Sequence, residues 1–460
     1  MTTAHTQAGR AAIILAAGQG TRMKSKLPKV LHAIGGRPAI DWVIALAQNT
    51  GCSEIVVVVG NHSPEVAAHV SGKLGPQALA VQDPPLGTGH AALSAKQRLA
   101  GFVGPVLIMF GDTPLVTEQT LEKLIAGLSE GASVAVLGFE PSDPLLYGRL
   151  VVSADGNLER IVEARDASPK EAKIGLCNAG IMAIDGTKLF GLLDRIGNTN
   201  AKGEYYLTDI VGLARADGLR VSVTRADADE VLGIDTRAVL AVAEATFQGR
   251  MRAKALENGV TLIAPGTVFF SHDTRLAEDV LIEPNVVFGP GVTVEKGATI
   301  RAFSHLEGAH VGTGSIIGPF ARLRPGADLG ADVHIGNFVE VKKSTLGDGV
   351  KANHLAYLGD ATIGAKTNIG AGTITCNYDG FDKFQTTIGA GAFIGSDTML
   401  VAPVSIGAGA YTGSGSTITK DVPANALSVE RSDQRNVEGW AERFRAKKLA
   451  AKAAKEGQTK

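Results

Sequence analysis

Cysteine is scarce in this chain: three in 460 residues, at Cys52, Cys177 and Cys376. So few, so scattered, exclude a disulfide framework and a Cys-rich metal site and fit a reducing compartment, so a cytoplasmic location is expected. Net charge is nearly absent too, with 45 Lys and Arg against 46 Asp and Glu. That balance argues against nucleic acid or an acidic membrane as the main partner. Only Arg443 to Lys455 is basic, and it reads as a solvated helical tail. No apolar run reaches the ~18 residues of a membrane span, and Met1 to Arg10 lacks the charged-then-apolar order of a signal peptide. Two stock phosphate motifs are also missing. At Gly18-Gln19-Gly20-Thr21-Arg22-Met23 the third glycine of GxGxxG falls on Met23, and no Gly-Lys-Ser/Thr of a P-loop occurs.

What is abundant is glycine, 57 residues, well above the usual ~7%. Much of it accompanies a six-residue beat of aliphatic side chains between Leu276 and Ile418. Leu276, Ile282, Phe288, Val294, Ile300 and Leu306 open the series; after a shorter step come Val311, Ile317, Leu323, Leu329, Ile335 and Val341. It returns at Leu358, Ile363 and Ile369, and again at Ile388, Ile394, Leu400, Ile406, Thr412 and Ile418. Neither a helix nor an alternating strand has that period. A β-helix does: each short strand forms one side of a prism and points one residue inward, and several coils must stack to bury a core. The beat slips between Leu306 and Val311, Val341 and Leu358, and Thr375 and Ile388, and those slips are where binding residues are expected.

The first half reads differently. Ala11 to Ala17 is an apolar strand that opens into the glycine-rich turn, where unobstructed backbone amides suit an anion and Arg22 and Lys29 add charge. Glu54 to Val59 and Val106 to Phe110 are further strands, and Pro64 to Leu74 is helical in pattern. Such alternation predicts a doubly wound, Rossmann-like α/β domain whose ligands sit at the carboxyl ends of strands. Asp112 stands at such an end, as a Mg²⁺ ligand or as a helix cap. Gly87-Thr88-Gly89 offers a hydroxyl and two open backbone amides to a base or ribose, or is a plain turn. Between the halves, Leu240, Ala243, Phe247 and Met251 keep helical spacing, which predicts one long connecting helix acting as a spacer.

Leu15-Ala16-Ala17-Gly18-Gln19-Gly20-Thr21-Arg22-Met23 with Pro28-Lys29, then Leu86-Gly87-Thr88-Gly89-His90 and Gly111-Asp112, resembles the sugar-nucleotide pyrophosphorylases. With the hexapeptide beat behind it, and with Asn353-His354-Leu355-Ala356-Tyr357-Leu358-Gly359-Asp360, the chain resembles a bacterial family with two activities. These are N-acetylglucosamine-1-phosphate uridyltransferase and glucosamine-1-phosphate N-acetyltransferase. The resemblance implies a uridyltransferase domain at 1–235, a linker helix at 236–258, a left-handed parallel β-helix acetyltransferase domain at 259–424 and a tail at 425–460. It implies a homotrimer, Mg²⁺ as cofactor, UTP and acetyl-CoA as co-substrates, and a UDP-N-acetylglucosamine product for envelope polymers. Leu15 is implied among the UTP-binding residues, with Gly18, Gly20, Arg22 and Lys29 holding the triphosphate, Gln82, Gly87 and Thr88 the uracil, and Gly148, Glu163 and Asn178 the sugar. Asp112 and Asp235 are the implied metal ligands, although the family usually has Asn at the second position, and Phe110 stands where Tyr is common. In the β-helix His354 is implied as general base, an imidazole with a reference pKa of about 6.5 suiting that task. Arg324, Lys342, Tyr357 and Asn368 are implied for the acceptor sugar phosphate. Ala371, Asn377, Tyr378, Ser396, Ser414 and Arg431 are implied for acetyl-CoA, Ser414 departing from a small apolar residue. The alternative is a nucleotidyltransferase with one activity, whose β-helix only trimerises.

Overall fold

The computed structural model describes residues 9–144 and 147–457. The stretch 1–8 read for a signal pattern, and 458–460 of the tail, lie outside the described residues. The chain forms two compact units. The first runs to Asn258 and includes Phe269–Thr274 and Phe288–Pro290; the second holds Gly259–Val268, Arg275–Val287 and everything from Gly291.

The first unit is built on a nine-stranded sheet. Its strands are β1 (Arg10–Leu15), β2 (Cys52–Gly60), β3 (Leu79–Gln82), β4 (Pro105–Phe110), β5 (Val134–Phe139), β6 (Arg149–Val152), β7 (Leu158–Val162), β8 (Cys177–Asp185) and β9 (Val221–Arg225). The main order is β9-β5-β8-β4-β1-β2-β3, with β8 antiparallel to both neighbours and the β6–β7 hairpin attached to β8. β1 lies at the centre, parallel to β2 and β4. Its alternating residues serve two cores: Ala11, Ile13 and Leu15 pack on one face, Ala12 and Ile14 on the other. This is why the strand reads as a continuous apolar run. The carboxyl ends of β1 and β4, Leu15 and Phe110, are paired in register, so the loops that follow them are neighbours.

The connecting helix is Arg237–Glu257, capped by the Thr236 hydroxyl on the Val239 amide. It is not the spacer the sequence suggested. Ala243, Phe247, Gln248 and Ala255 are buried in it, Phe247 lies 5.4 Å from the Trp42 ring, and both belong to a core with Met23, Ile34 and Leu115. Gln248 explains why 269–274 belongs to this unit: its amide donates to the Phe270 carbonyl and accepts from the Phe270 N–H, each at 2.8 Å.

The second unit is a left-handed β-helix of three parallel sheets with ten, eight and eight strands. Ile282, Ile300, Ile317, Ile335, Ala352 and Ile369 stack down the ten-stranded sheet, and Leu276, Val294, Val311, Leu329, Leu346, Ile363, Ile388 and Ile406 down another. The slips from Leu306 to Val311 and from Val341 to Leu358 are therefore not breaks in the coil, whereas that from Thr375 to Ile388 contains one. Leu346 and Ala352 fill the inward positions between Val341 and Leu358, shifted by a shortened corner. Thr375 takes the inward place in the next coil; its hydroxyl accepts from the Gly359 N–H and lies 3.0 Å from the Gly359 carbonyl. Only after Cys376 does chain leave the prism as a loop, returning at Thr386.

The corner after the ten-stranded sheet carries a second regularity. Phe303, Phe320, Phe338, Leu355, Gly372, Asp397 and Gly415 occupy equivalent turns of successive coils, all with φ between 47° and 76°. Left-handed backbone costs a residue with a Cβ about 1–2 kcal/mol. Yet the first three positions carry exposed phenylalanines whose rings stack at 4.9 and 5.3 Å.

Candidate active sites

In the first unit the glycine-rich turn after β1 folds over a lysine. Gly20 has φ 62°, and a Cβ there would lie 2.9 Å from the Lys29 Cβ; one on Gly18 would touch the Lys29 Cε at 3.4 Å. The two glycines leave room for the Lys29 stem to cross the turn. Its ammonium group then forms an ion pair with the Asp112 carboxylate at the end of β4. Arg22 pairs with Asp235 at 2.8 Å. The Ile234 N–H donates to the Asp112 carbonyl at 2.8 Å, bringing the segment of Asp235 beside Asp112. Burial, and then the Asp235 carboxylate, push the Tyr147 phenol above its ordinary range.

A cavity of about 290 Å³ is lined by Leu15, Gly18, Lys29, Gln82, Gly87 and Thr88, all singled out from the sequence, and also by Phe110 and Glu204. Its far wall is braced by 204–207. Tyr205 exchanges backbone bonds with Leu86 and Gly89, and the Thr88 hydroxyl accepts from the Leu207 N–H at 3.0 Å. The expectation of two open amides in Gly87-Thr88-Gly89 is thus corrected, because the Gly89 N–H is spent on the Tyr205 carbonyl. Gly87, with φ 114°, is needed for the close approach: a Cβ would meet the Tyr205 carbonyl oxygen at 2.6 Å. Buried Gln82 donates to the Gly87 carbonyl at 2.9 Å.

Gly148, Glu163 and Asn178 form a second group. The Asn178 N–H donates to the Gly148 carbonyl at 2.8 Å, Glu163 accepts from the Thr208 hydroxyl at 3.1 Å, and a Cβ on Gly148 would stand 3.7 Å from the Glu163 Oε2. Among the described residues no cluster of three or more His, Cys, Asp or Glu could hold a metal ion on its own. Two hard carboxylates, Asp112 and Asp235, each already paired with a cation, do suit Mg²⁺ shared with phosphate oxygens.

In the β-helix, His354 lies on the ten-stranded sheet, in register with Asn337 of the preceding coil. Its Nδ1 is 3.1 Å from the Asn337 Oδ1, a contact that sequence reasoning missed. Ala371, Ser396 and Ser414 follow His354 at the same corner in successive coils, linked by Asp397 N–H to Ala371 O and Gly415 N–H to Ser396 O, and Arg431 donates to the Ser414 carbonyl at 2.8 Å. Arg324, Lys342 and Tyr357 sit at the next sheet, where Glu340 binds Arg324 at 2.8 Å and holds its guanidinium firmly charged. Asn368 does not join them; it stands on the ten-stranded sheet between Lys351 and Phe393. Asn377 and Tyr378 lie at the base of the protruding loop, where Asn377 donates to Asp360 at 2.5 Å and the Tyr378 hydroxyl to the Gly380 carbonyl at 2.6 Å. One prism thus brings part of each implied ligand set together and spreads the rest over different faces. Among the described residues no helix is long and apolar enough to cross a membrane.

Comparison with known proteins bears on both units. Residues 12–169 match the MobA-like NTP transferase domain, and 385–420 match the bacterial transferase hexapeptide family of six repeats. The chain is similar to the Bifunctional protein GlmU of Paramagnetospirillum magneticum, 54% identical over 97% of this chain and 99% of that protein. It is similar to that of Azorhizobium caulinodans at 55% over 94% and 97%, and to that of Hyphomonas neptunium at 59% over 98% of each. With such identity across both units, the chain belongs to the bifunctional GlmU family.

Proposed function

We propose that the two units house two consecutive transferase sites. The enzyme acetylates glucosamine 1-phosphate with acetyl-CoA, then transfers UMP from UTP to N-acetylglucosamine 1-phosphate and releases pyrophosphate. The observation that carries this reading is the Lys29–Asp112 pair at the cavity of Gln82, Gly87 and Thr88, in a different unit from His354.

In the first site a sugar phosphate oxygen attacks the α-phosphorus of UTP and pyrophosphate leaves, so positioning and charge neutralisation carry the catalysis. Arg22, Lys29 and the amides of Gly18 and Gly20 hold the triphosphate, Gln82, Gly87 and Thr88 read the uracil, and Gly148, Glu163 and Asn178 hold the sugar. Asp112 and Asp235 would hold Mg²⁺, which supplies positive charge to the phosphate oxygens. In the second site the sugar ammonium gives a proton to His354, the freed nitrogen attacks the thioester carbon, and CoA leaves as the thiol. Arg324, Lys342, Tyr357 and Asn368 hold the acceptor phosphate and sugar; Ala371, Asn377, Tyr378, Ser396, Ser414 and Arg431 hold acetyl-CoA.

Two features support a homotrimer. The sugar-phosphate and acetyl-CoA sets are each divided between faces of one prism, and the Phe303, Phe320 and Phe338 ladder is apolar, exposed and backbone-strained. Side-by-side packing of three prisms covers such a ladder and joins residues from different faces. Free cysteines and these substrates support a cytoplasmic location.

Incubating the protein with glucosamine 1-phosphate, acetyl-CoA, UTP and Mg²⁺, then omitting each in turn, tests the reading. UDP-N-acetylglucosamine should form only with all four. Its formation from N-acetylglucosamine 1-phosphate, UTP and Mg²⁺, with no acetyl transfer to glucosamine 1-phosphate, would reduce the β-helix to a trimerising scaffold.

A further inference from the structure

His354 is an exposed side chain, and nothing about an exposed imidazole by itself decides which ring nitrogen carries the proton. The neighbouring coil does decide it. We propose that Asn337 is a positioning residue for acetyl transfer, its side-chain carbonyl fixing the His354 tautomer with hydrogen on Nδ1 and the lone pair on Nε2. This inference rests on the reading of His354 as the general base.

The contact is built into the solenoid. Asn337 and His354 are register partners on adjacent strands, and the Leu355 N–H donates to the Asn337 carbonyl at 3.0 Å. Each of the two residues is followed by a left-handed corner, Phe338 at 58° and Leu355 at 47°. Backbone and corner therefore set the spacing of the side chains, and Oδ1 stands 3.1 Å from Nδ1. An amide oxygen only accepts, so Nδ1 must donate. The reversed arrangement, an amide N–H given to Nδ1, would leave hydrogen on Nε2 and no free lone pair for a base. The two side chains share a cavity of about 280 Å³ with Arg301 and His334, the charged and titratable groups that line it. Both are cationic or able to become so, and neither supplies the acceptor that Nδ1–H needs. Asn337 does so without adding a charge that would compete for the proton taken from the substrate.

The test compares Asn337→Leu, Asn337→Asp and His354→Ala in the full-length protein, with uridyl transfer as the internal control for folding. General-base catalysis contributes about 10²–10⁴-fold. Losing the fixed tautomer should forfeit part of that, lowering kcat for acetyl transfer in Asn337→Leu by about 10–100-fold with both KM values within about twofold. Asn337→Asp keeps an acceptor and should recover most of kcat. Its carboxylate favours the imidazolium, so the acidic limb of its pH–rate profile should move up by about one unit. An Asn337→Leu enzyme with unchanged kcat, one that loses activity through KM, or an Asn337→Asp profile that does not move, each overturns the inference. If Asn337→Leu misfolds, the Asn337→Asp profile alone decides. Loss of acetyl transfer in His354→Ala beside a normal Asn337→Leu would overturn the role of Asn337 only. Full acetyl transfer in His354→Ala would overturn the base assignment itself.

Discussion

Replacing Gln248 with Leu removes an amide of similar size from a place where it satisfies two backbone groups. Gln248 is 2% exposed, and its side chain donates to the Phe270 carbonyl and accepts from the Phe270 N–H at 2.8 Å each. Phe270 is 3% exposed, so water does not substitute easily for either bond. Each buried group left without a partner costs about 1–3 kcal/mol, giving about 2–6 kcal/mol for the pair. Against a typical total of about 5–15 kcal/mol that is a large fraction. The Glu244 carboxylate, which links Gln248 to the Gly35 N–H, loses a donor as well. Urea titration followed by tryptophan fluorescence reads this cleanly. Of the two tryptophans, Trp42 packs on Phe247 of the same helix, whereas Trp440 lies exposed on the tail. With a denaturant slope of up to about 3 kcal/mol per M, the Trp42 transition should fall by about 1–2 M. Val242→Ala, at an exposed position of that helix, should leave it in place. A Gln248→Leu midpoint no lower than that of Val242→Ala would refute the reasoning.

Gly20→Ala should lower uridyl-transfer kcat/KM by about tenfold or more and spare acetyl transfer, since φ 62° and the 2.9 Å approach to Lys29 both oppose a Cβ, each at a cost of order 1 kcal/mol; steady-state assays of both half-reactions check it. Asp235→Asn removes one of two carboxylates expected to hold Mg²⁺, so the Mg²⁺ concentration for half-maximal uridyl transfer should rise about 3–10-fold, in line with about a kcal/mol of lost charge interaction. Its ion pair with Arg22 is exposed on the arginine side, so the melting temperature should barely change; an unchanged Mg²⁺ requirement would show that the metal does not feel the second carboxylate's charge. Phe320→Asp should shift the proposed trimer toward monomers in sedimentation velocity. Aspartate tolerates the left-handed turn, so the monomer should keep its fold, and a fully trimeric variant would place the interface elsewhere.

The sequence made the prism legible because its inward residues are aliphatic and regularly spaced. It failed at Leu346 and Ala352, where a shortened corner moved the beat, and at Thr375, where a hydroxyl bonded to Gly359 serves as a core residue. The glycine turn and Lys29 read from the sequence as a candidate anion site, and what the structure adds is a lysine stem lying over two glycines. Asn337 was not, because its relation to His354 exists only between stacked coils. The brace of Leu86 and Gly89 by Tyr205 likewise joins segments far apart in sequence. Helical spacing revealed the helix at 237–257, but a polar Gln248 gave no sign of being buried by the backbone it serves.

The three parallel sheets have one more implication, for how such a chain can lengthen in evolution. A coil within the prism bonds to the one before and the one after, as Ile282, Ile300 and Ile317 show. Duplicating a whole coil among the early turns would move everything beyond it along the axis like a mark on a ruler, leaving local chemistry unchanged. The same duplication between Asn337 and His354 would separate the pair by a full step. Gene length is therefore cheap to change at one end of the prism and costly in the middle, a gradient of tolerance that homologous chains of different coil number should display.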